Sequence, residues 1–468
     1  MARLVIVSNR VPAYGDRKEQ SGGLAVALDE ALKQETLWFG WSGQTAEETS
    51  RTPTLTQRRA VTLATIDLGA EDYRRFYVGF ANSSLWPLLH YRTGIMEYSR
   101  EDYQGYRAVN RHFAAALSPL LRPDDIVWIH DYHLIPLGRE LRELGHANRL
   151  GFFLHIPFPP ASVFDALPCA RALVRDLAAC DLIGFQTDED CGNFLSCATR
   201  LSGASLLSDG RFRLDEIESR ATAIPVGIDP GRFARQAERA SNSENARRMR
   251  ESLSGRRLIV GVDRLDYSKG LPNRLEAYTR LLEQFPEHRL KVSYLQVTPR
   301  SRGDVGEYQI LKRNLDRQIG KINGKFAEFD WVPLRYMTRG LPRTTLAGFY
   351  RAAAVGLVTP LRDGMNLVAK EYIAAQEPLD PGVLVLSRFA GAAAHMKEAI
   401  IVNPYDPDEV AEAINDALKM PGEERRARWE ALYGTVNRDS AAAWCQRFIE
   451  ELSQRAAPLA KPADAEAA

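Results

Sequence analysis

Short runs of β-branched and aromatic residues recur along this chain, each followed by a polar or glycine-containing stretch and then by a segment of helical spacing. In the first half Leu4–Ser8, Leu37–Trp41, Ile126–His130, Gly151–His155, Leu182–Phe185 and Thr222–Val226 read as strands. In the second half Leu258–Val262, Val292–Val297, Ala354–Thr359, Val383–Leu386 and Ile400–Val402 do so, with helix-like stretches such as Pro272–Gln284 between them. Runs that are apolar throughout suit strands covered on both faces, and strand–helix alternation builds parallel sheets. The pattern therefore predicts an α/β protein of two doubly wound, Rossmann-like parallel-sheet domains. Arg232–Arg257 has no strand pattern, which places the linker near Ile228–Phe233 and the domains at 1–230 and 231–438. Trp444, Phe448 and Leu452 recur at helical spacing, so 439–455 is expected to return as a docked helix, and the Ala/Pro-rich 456–468 to be a disordered tail.

Ligands of such sheets bind beyond the carboxyl ends of the strands. The residues that follow the predicted strands are Asn9-Arg10, Asp131-Tyr132-His133, His155-Ile156-Pro157, Arg264-Leu265-Asp266 and Arg362-Asp363-Gly364. Two facing sheets bring them to one cleft. After the first strand, Ser21-Gly22-Gly23 lets backbone approach a ligand ahead of a helix, although an ordinary strand-to-helix turn accounts for the glycines equally well. In the second half Arg264 and Lys269 form a cation pair suited to a diphosphate, which a solvated loop also explains. Asp363-Gly364-Met365-Asn366 opens a helix whose first N–H groups can meet a phosphate, and Glu371 lies one turn in, where a carboxylate can accept from hydroxyls. His155 is presented between an apolar strand and Pro157, and reads equally as a structural histidine.

Composition removes several alternatives. Among 468 residues, 61 Lys and Arg oppose 60 Asp and Glu, a formal charge of +1 that gathers neither nucleic acid nor anionic membrane. Any anion must be held locally. The five cysteines lack CxxC spacing and interleaved histidine, so neither a disulfide framework nor a zinc site is expected. The apolar run Leu4–Val7 is broken by Ser8, Asn9 and Arg10, too short for a signal peptide or a membrane span. A cytoplasmic protein with reduced thiols, no metal and no resident cofactor is the expectation.

Taken together, SNRVP, SGGLA, WFGWSG, LWPLLHYR, WIHDYHLIP, GFFLHIPFP, GFQT, VDRLDYSKGLP, SRGDV, VGLVTPLRDGMNLVAKEY and LVLSRFAGAA resemble the trehalose-6-phosphate synthases, over a stretch from Arg3 to about Leu452. The resemblance implies a retaining glycosyltransferase of GT-B type with its active site between the domains, moving glucose from a nucleotide-glucose to glucose 6-phosphate. It also implies a dimer or tetramer, small-molecule substrates, and no nucleic-acid or membrane partner. By the same resemblance Arg10, Tyr77, Trp86, Asp131 and Arg302 hold glucose 6-phosphate, with Arg10, Tyr77 and Arg302 near its phosphate. Gly22, Gly23, Arg264, Lys269, Leu341, Gly364, Asn366, Leu367, Val368, Ala369, Lys370 and Glu371 fall on the donor site, and His155 and Asp363 on the transferred glucose. Met337-Thr338-Arg339-Gly340 departs from the family pattern and leaves the base, uridine or another, open. A different acceptor on this scaffold and a non-catalytic sugar-phosphate sensor are the rivals; Arg10, Tyr77, Trp86 and Arg302 speak against the first, and the complete donor set against the second. A phosphorylase-like enzyme would need a pyridoxal-phosphate lysine motif, which is not found.

Overall fold

A computed structural model describes residues 2–11, 35–58, 60–300 and 306–454. Its strands are β1 Leu4–Arg10, β2 Thr36–Ala46, β3 Thr54–Arg58, β4 Val61–Gly69, β5 Ile126–His130, β6 Arg149–Phe153, β7 Leu182–Phe185, β8 Ser205–Leu206, β9 Arg211–Leu214 and β10 Ile217–Ala223 in the first half. The second half holds β11 Arg257–Val262, β12 Val292–Val297, β13 Leu334–Met337, β14 Ala353–Val358, β15 Val383–Ser387 and β16 Ile400–Val402.

The strands form two sheets, ordered β3-β4-β2-β1-β5-β6-β7-β10-β9-β8 and β13-β12-β11-β14-β15-β16. The second is parallel throughout, and its order is that of a doubly wound sheet whose direction of winding reverses between β11 and β14. In the first, the run from β4 to β10 is parallel, with the reversal between β1 and β5, while β3, β9 and β8 are antiparallel additions at the edges. At each reversal the flanking helices diverge to opposite faces and leave a crevice. Arg10 and Asp131 end the strands at one crevice; Arg264 and Asp363 follow the strands at the other.

Some bounds shift. The strand expected at Thr222–Val226 runs Ile217–Ala223, because its outer residues pair with the antiparallel edge strand β9. The strand before His155 stops at Phe153, so His155 lies in the loop beyond. At Ile228–Phe233, where the linker is expected, Asp229 caps a helix Pro230–Ser241, with proline at a first-turn position where it loses no hydrogen bond.

The last helix, Ala441–Ser453, lies on the first sheet. Phe448 stacks on Trp128 of β5 with ring centroids 4.5 Å apart, and Trp444 lies 4.7 Å from the same ring. Gly151 and Gly184 occur where they do because Phe448 covers them: a Cβ on either would fall 2.6 or 2.8 Å from its ring. Among the described residues, no helix is long and apolar enough to cross a membrane.

Candidate active site

On the rim of the first sheet, Arg10 projects from the end of β1 with its guanidinium 5.8 Å from the Trp41 ring. Gly43 lies beneath it at φ +92°, and a Cβ there would come 2.4 Å from Arg10 Nε, so the missing side chain is what seats the guanidinium. Asp131, at the end of β5, takes φ +75°, an uncommon conformation for a residue with a side chain and one that gathers at functional sites. It is held there by its N–H donating to the Phe153 carbonyl at 2.8 Å, and its Oδ1 accepts the His155 N–H at 3.2 Å. Tyr77 sits on a π-helical stretch, Arg74–Leu85, stacked on His133 with ring centroids 5.6 Å apart. The wide turn leaves carbonyls that side chains answer: Asn82 Nδ2 donates to Tyr77 O and Ser83 Oγ to Val78 O. Trp86, next in the chain, is 3% exposed and packs on His90 and Tyr132.

His155 belongs to a relay that runs through the rim. Gln186 Oε1 accepts the Val226 N–H at 3.0 Å, which turns its Nε2 toward His155 Nδ1 at 3.5 Å. With Nδ1 the acceptor, the ring proton sits on Nε2 and is donated to His130 Nδ1, 3.0 Å away. Burial holds His155 down at about 3 and lowers His130 as well, so both rings stay neutral. Nitrogen-15 spectra should accordingly show no titration of His155 between about pH 5 and 8. Gln186→Glu keeps the Val226 contact but presents an acceptor to Nδ1. We expect it to invert the tautomer in those spectra and lower kcat/KM roughly tenfold, since a misplaced hydrogen bond is worth about 1–2 kcal/mol. An unchanged tautomer overturns the relay.

On the rim of the second sheet, Lys269 Nζ donates to Asp363 Oδ2, and the two side chains are only 10% and 13% exposed. Asn366 Nδ2 donates to the same oxygen at 3.0 Å. Asn366 takes φ +69° ahead of the helix Leu367–Ala375, and its Oδ1 is buried with no hydrogen-bond partner among the described residues. His90 Nε2 is left likewise, and burial pushes that ring down to about 4. Asp263 is taken by Arg274 in a fully buried ion pair, while Asp266 caps the Ser268 N–H at 3.0 Å. Neither is therefore spare beside Lys269. Glu371 accepts from Arg343 Nε at 3.0 Å, and Leu341, Leu367 and Val368 pack half-buried against a core cluster drawn from both halves. Lys370, pushed down to about 8 by burial, donates to the Val226 carbonyl at 2.7 Å. Its ammonium thus ties the halves together. Ala369 is fully buried.

The two rims meet. The Arg264 guanidinium lies 5.9 Å from the Trp86 ring, and that of Arg362 lies 3.8 Å from Tyr91. Gly364 packs so closely that a Cβ would fall 2.1 Å from the His155 carbonyl oxygen. One cleft thus gathers Arg10, Tyr77, Trp86, Asp131 and His155 from one half and Arg264, Lys269, Asp363, Gly364 and Asn366 from the other. Gly22, Gly23 and Arg302 lie outside the described residues, and no cluster of three metal-ligating side chains occurs among the described ones. Sequence reasoning passed over Gln186, His130, His90 and Arg343. The strings GFQT, WIHDYH and LWPLLHYR contain the first three; a polar residue at a strand end was the available signal for Gln186 and His130, whereas His90 ends the short helix Trp86–Leu89.

The profile of Glycosyltransferase family 20 matches residues 3–454, nearly the whole chain. The chain belongs to glycosyltransferase family 20. Its family relatives include a trehalose-6-phosphate synthase of Sinorhizobium fredii, 48% identical over 97% of this chain and 98% of that protein. Among solved family 20 structures, it is similar to the UDP-forming α,α-trehalose-phosphate synthase of Burkholderia xenovorans in complex with glucose-6-phosphate. That likeness has a TM-score of 0.93 at 45% identity and covers 96% of this chain and all of the other. A third is the Escherichia coli structure described as trehalose-6-phosphate bound with UDP-2-fluoro glucose, with a TM-score of 0.91 at 43% identity over 97% and 100% of the two chains. Two doubly wound sheets facing across a cleft are therefore the family 20 arrangement in this chain.

Proposed function

We propose that the cleft transfers glucose from UDP-glucose to glucose 6-phosphate and yields α,α-trehalose 6-phosphate with the donor's anomeric configuration retained. The observation that carries this reading is the facing of two crevices: cations and a carboxylate on the second rim, Arg10 and Asp131 on the first, joined through Gly364 against His155. Arg264 and Lys269 take the diphosphate and stabilise it as it leaves. Asp363, Asn366 and the backbone at Gly364 orient the donor glucose, whose hydroxyls suit the unpartnered Asn366 Oδ1. His155 Nδ1 serves the same sugar, because its 3.5 Å contact with Gln186 is the weak link a hydroxyl displaces. Glu371 accepts from the ribose, with Gly22, Gly23, Leu341, Leu367, Val368, Ala369 and the Lys370 backbone completing the donor seat. On the acceptor side Arg10, Tyr77 and Arg302 hold the phosphate, and Trp86 and Asp131 the sugar. The acceptor domain is taken as 1–230 with 439–455, and the donor domain as 231–438.

Retention by double displacement requires a carboxylate nucleophile on the far face of the donor sugar. Asp363, the carboxylate proposed beside that sugar, is tied up by Lys269 and Asn366. The acceptor hydroxyl therefore enters on the face from which the diphosphate departs, and a phosphate oxygen takes its proton. Offering UDP-glucose, other nucleotide-glucoses and glucose 6-phosphate, then identifying the product by mass and anomeric coupling, tests the whole reading. A β-linked product, or a glycosyl adduct on Asp363, overturns it. Fixed cations make a divalent ion unnecessary, so activity should survive chelation; loss restored by magnesium would refute this.

The acceptor seat has its own test. Arg10→Ala should weaken glucose 6-phosphate by about 1.5–3 kcal/mol, the worth of a charge-assisted hydrogen bond, while UDP-glucose binds as before. Equal loss for both substrates in titration calorimetry would assign Arg10 a structural role.

A further inference from the structure

Outside the cleft, a cavity of about 500 Å³ opens between three helices of the second half. Arg232, Arg235 and Arg239 line it from one face of the helix Pro230–Ser241, and Asn245, Thr344 and Thr345 close it from the first turns of Glu244–Leu253 and Arg343–Ala352. Like charges three and four residues apart on a helix repel. Some exposed helical arginines of this chain meet carboxylates one turn away, as in Arg247–Glu251, Arg280–Glu276 and Arg428–Glu424. Among the described residues none of the three cavity arginines has an ion pair, and Glu238, the one acid on their helix, does not answer them. The helix Arg343–Ala352 adds a positive end: Pro342 gives it no capping side chain, and Thr344 and Thr345 of its first turn face the cavity. Three guanidiniums, an uncapped helix start and two hydroxyls in one concavity match an anion with several phosphate groups.

The cavity is joined to the donor seat by rigid packing. Asn245 Nδ2 donates to Thr345 Oγ1 at 3.3 Å, and Gly348 lies so near the Ala240 carbonyl that a Cβ would stand 3.0 Å from it. Arg343, next to Thr344, has its guanidinium 4.8 Å from Phe233 of the arginine-bearing helix and donates to Glu371. Arg343 thus links a wall of the cavity to Glu371.

We propose that this pocket binds a small polyphosphorylated anion and that its occupancy alters affinity for the nucleotide-sugar through Arg343 and Glu371. The coupling rests on the reading of Glu371 as the donor's ribose carboxylate; the binding does not. The test uses inorganic triphosphate, titrated calorimetrically into enzyme saturated with UDP and glucose 6-phosphate so that the phosphate seats of the cleft are filled. One further site is expected, weakened roughly tenfold or more in Arg235→Ala/Arg239→Ala, whose melting temperature and kcat without triphosphate match wild type. Triphosphate should also shift the KM for UDP-glucose in wild type and leave it unmoved in that variant. Absence of a further site, or equal affinity in the variant, overturns the binding; a site that leaves the KM unmoved overturns the coupling. Failure of the Glu371 reading is distinguished by Glu371→Gln, which would then leave the KM for UDP-glucose unchanged.

Discussion

Lys269→Ala is expected to lower kcat/KM for UDP-glucose by roughly 30- to 1,000-fold, a loss of about 2–4 kcal/mol of transition-state stabilisation. Two effects add in the same direction. The cation proposed to receive the leaving diphosphate is gone, and Asp363, nearly buried, loses its ammonium partner and is left an uncompensated charge. Lys269→Ala/Asp363→Asn separates them. If the bare carboxylate were the main cause, the double variant would recover most of the rate. If leaving-group stabilisation dominates, as proposed, it stays near the single variant. Steady-state kinetics on the three proteins decides between these, and wild-type kcat/KM in Lys269→Ala would remove the residue from the donor site.

Gly364→Ala should be nearly as damaging although it adds a single methyl group. That carbon would stand 2.1 Å from the His155 carbonyl oxygen and 2.8 Å from Ile156 Cα, both backbone atoms that cannot swing aside. Gly391 presses on Gly364 from the other side, where a Cβ would come 1.7 Å from its carbonyl oxygen. The loop carrying Asp363 must therefore shift, and a misplacement of about 1 Å at a reacting centre costs roughly 100-fold in rate. Overpacking should also remove about 1–3 kcal/mol of stability, read as a lower melting temperature. Gly320→Ala is the control: it lies in a helix with nothing within 4 Å of the added carbon, and should leave the rate intact while stabilising slightly. Full activity in Gly364→Ala would mean that the two rims work without touching.

Strands buried on both faces were legible because nothing but an apolar run satisfies them. Ile126–His130, Leu182–Phe185 and Val292–Val297 stand in the structure as the hydrophobic pattern places them. Of the edge strands Ile400–Val402 was also legible, but others were not. Thr54–Arg58 is exposed along its whole length, so solvent rather than a core selects its residues, and Leu334–Met337 is too short to show a period. The π-helical stretch around Tyr77 departs from the 3.6-residue spacing that such reading assumes. At the site, residue types after strands pointed to Arg10, Asp131, Arg264 and Asp363. The Gln186–His155–His130 relay joins residues from three separate segments, and its logic lies in which amide edge faces which ring, a fact of tertiary structure.

The return of the final helix to the first sheet bears on how the protein is made. Chains generally fold their amino-terminal unit first as they leave the ribosome. Here Trp128 of β5, and Gly151 and Gly184 of β6 and β7, rest against Trp444 and Phe448, which are synthesised after every strand of the second sheet. Through most of translation the earliest sheet carries an uncovered aromatic face, open to holding chaperones and to association with neighbouring nascent chains. A stop codon shortly before Ala441 would release a chain in which both sheets are complete but that face is never closed.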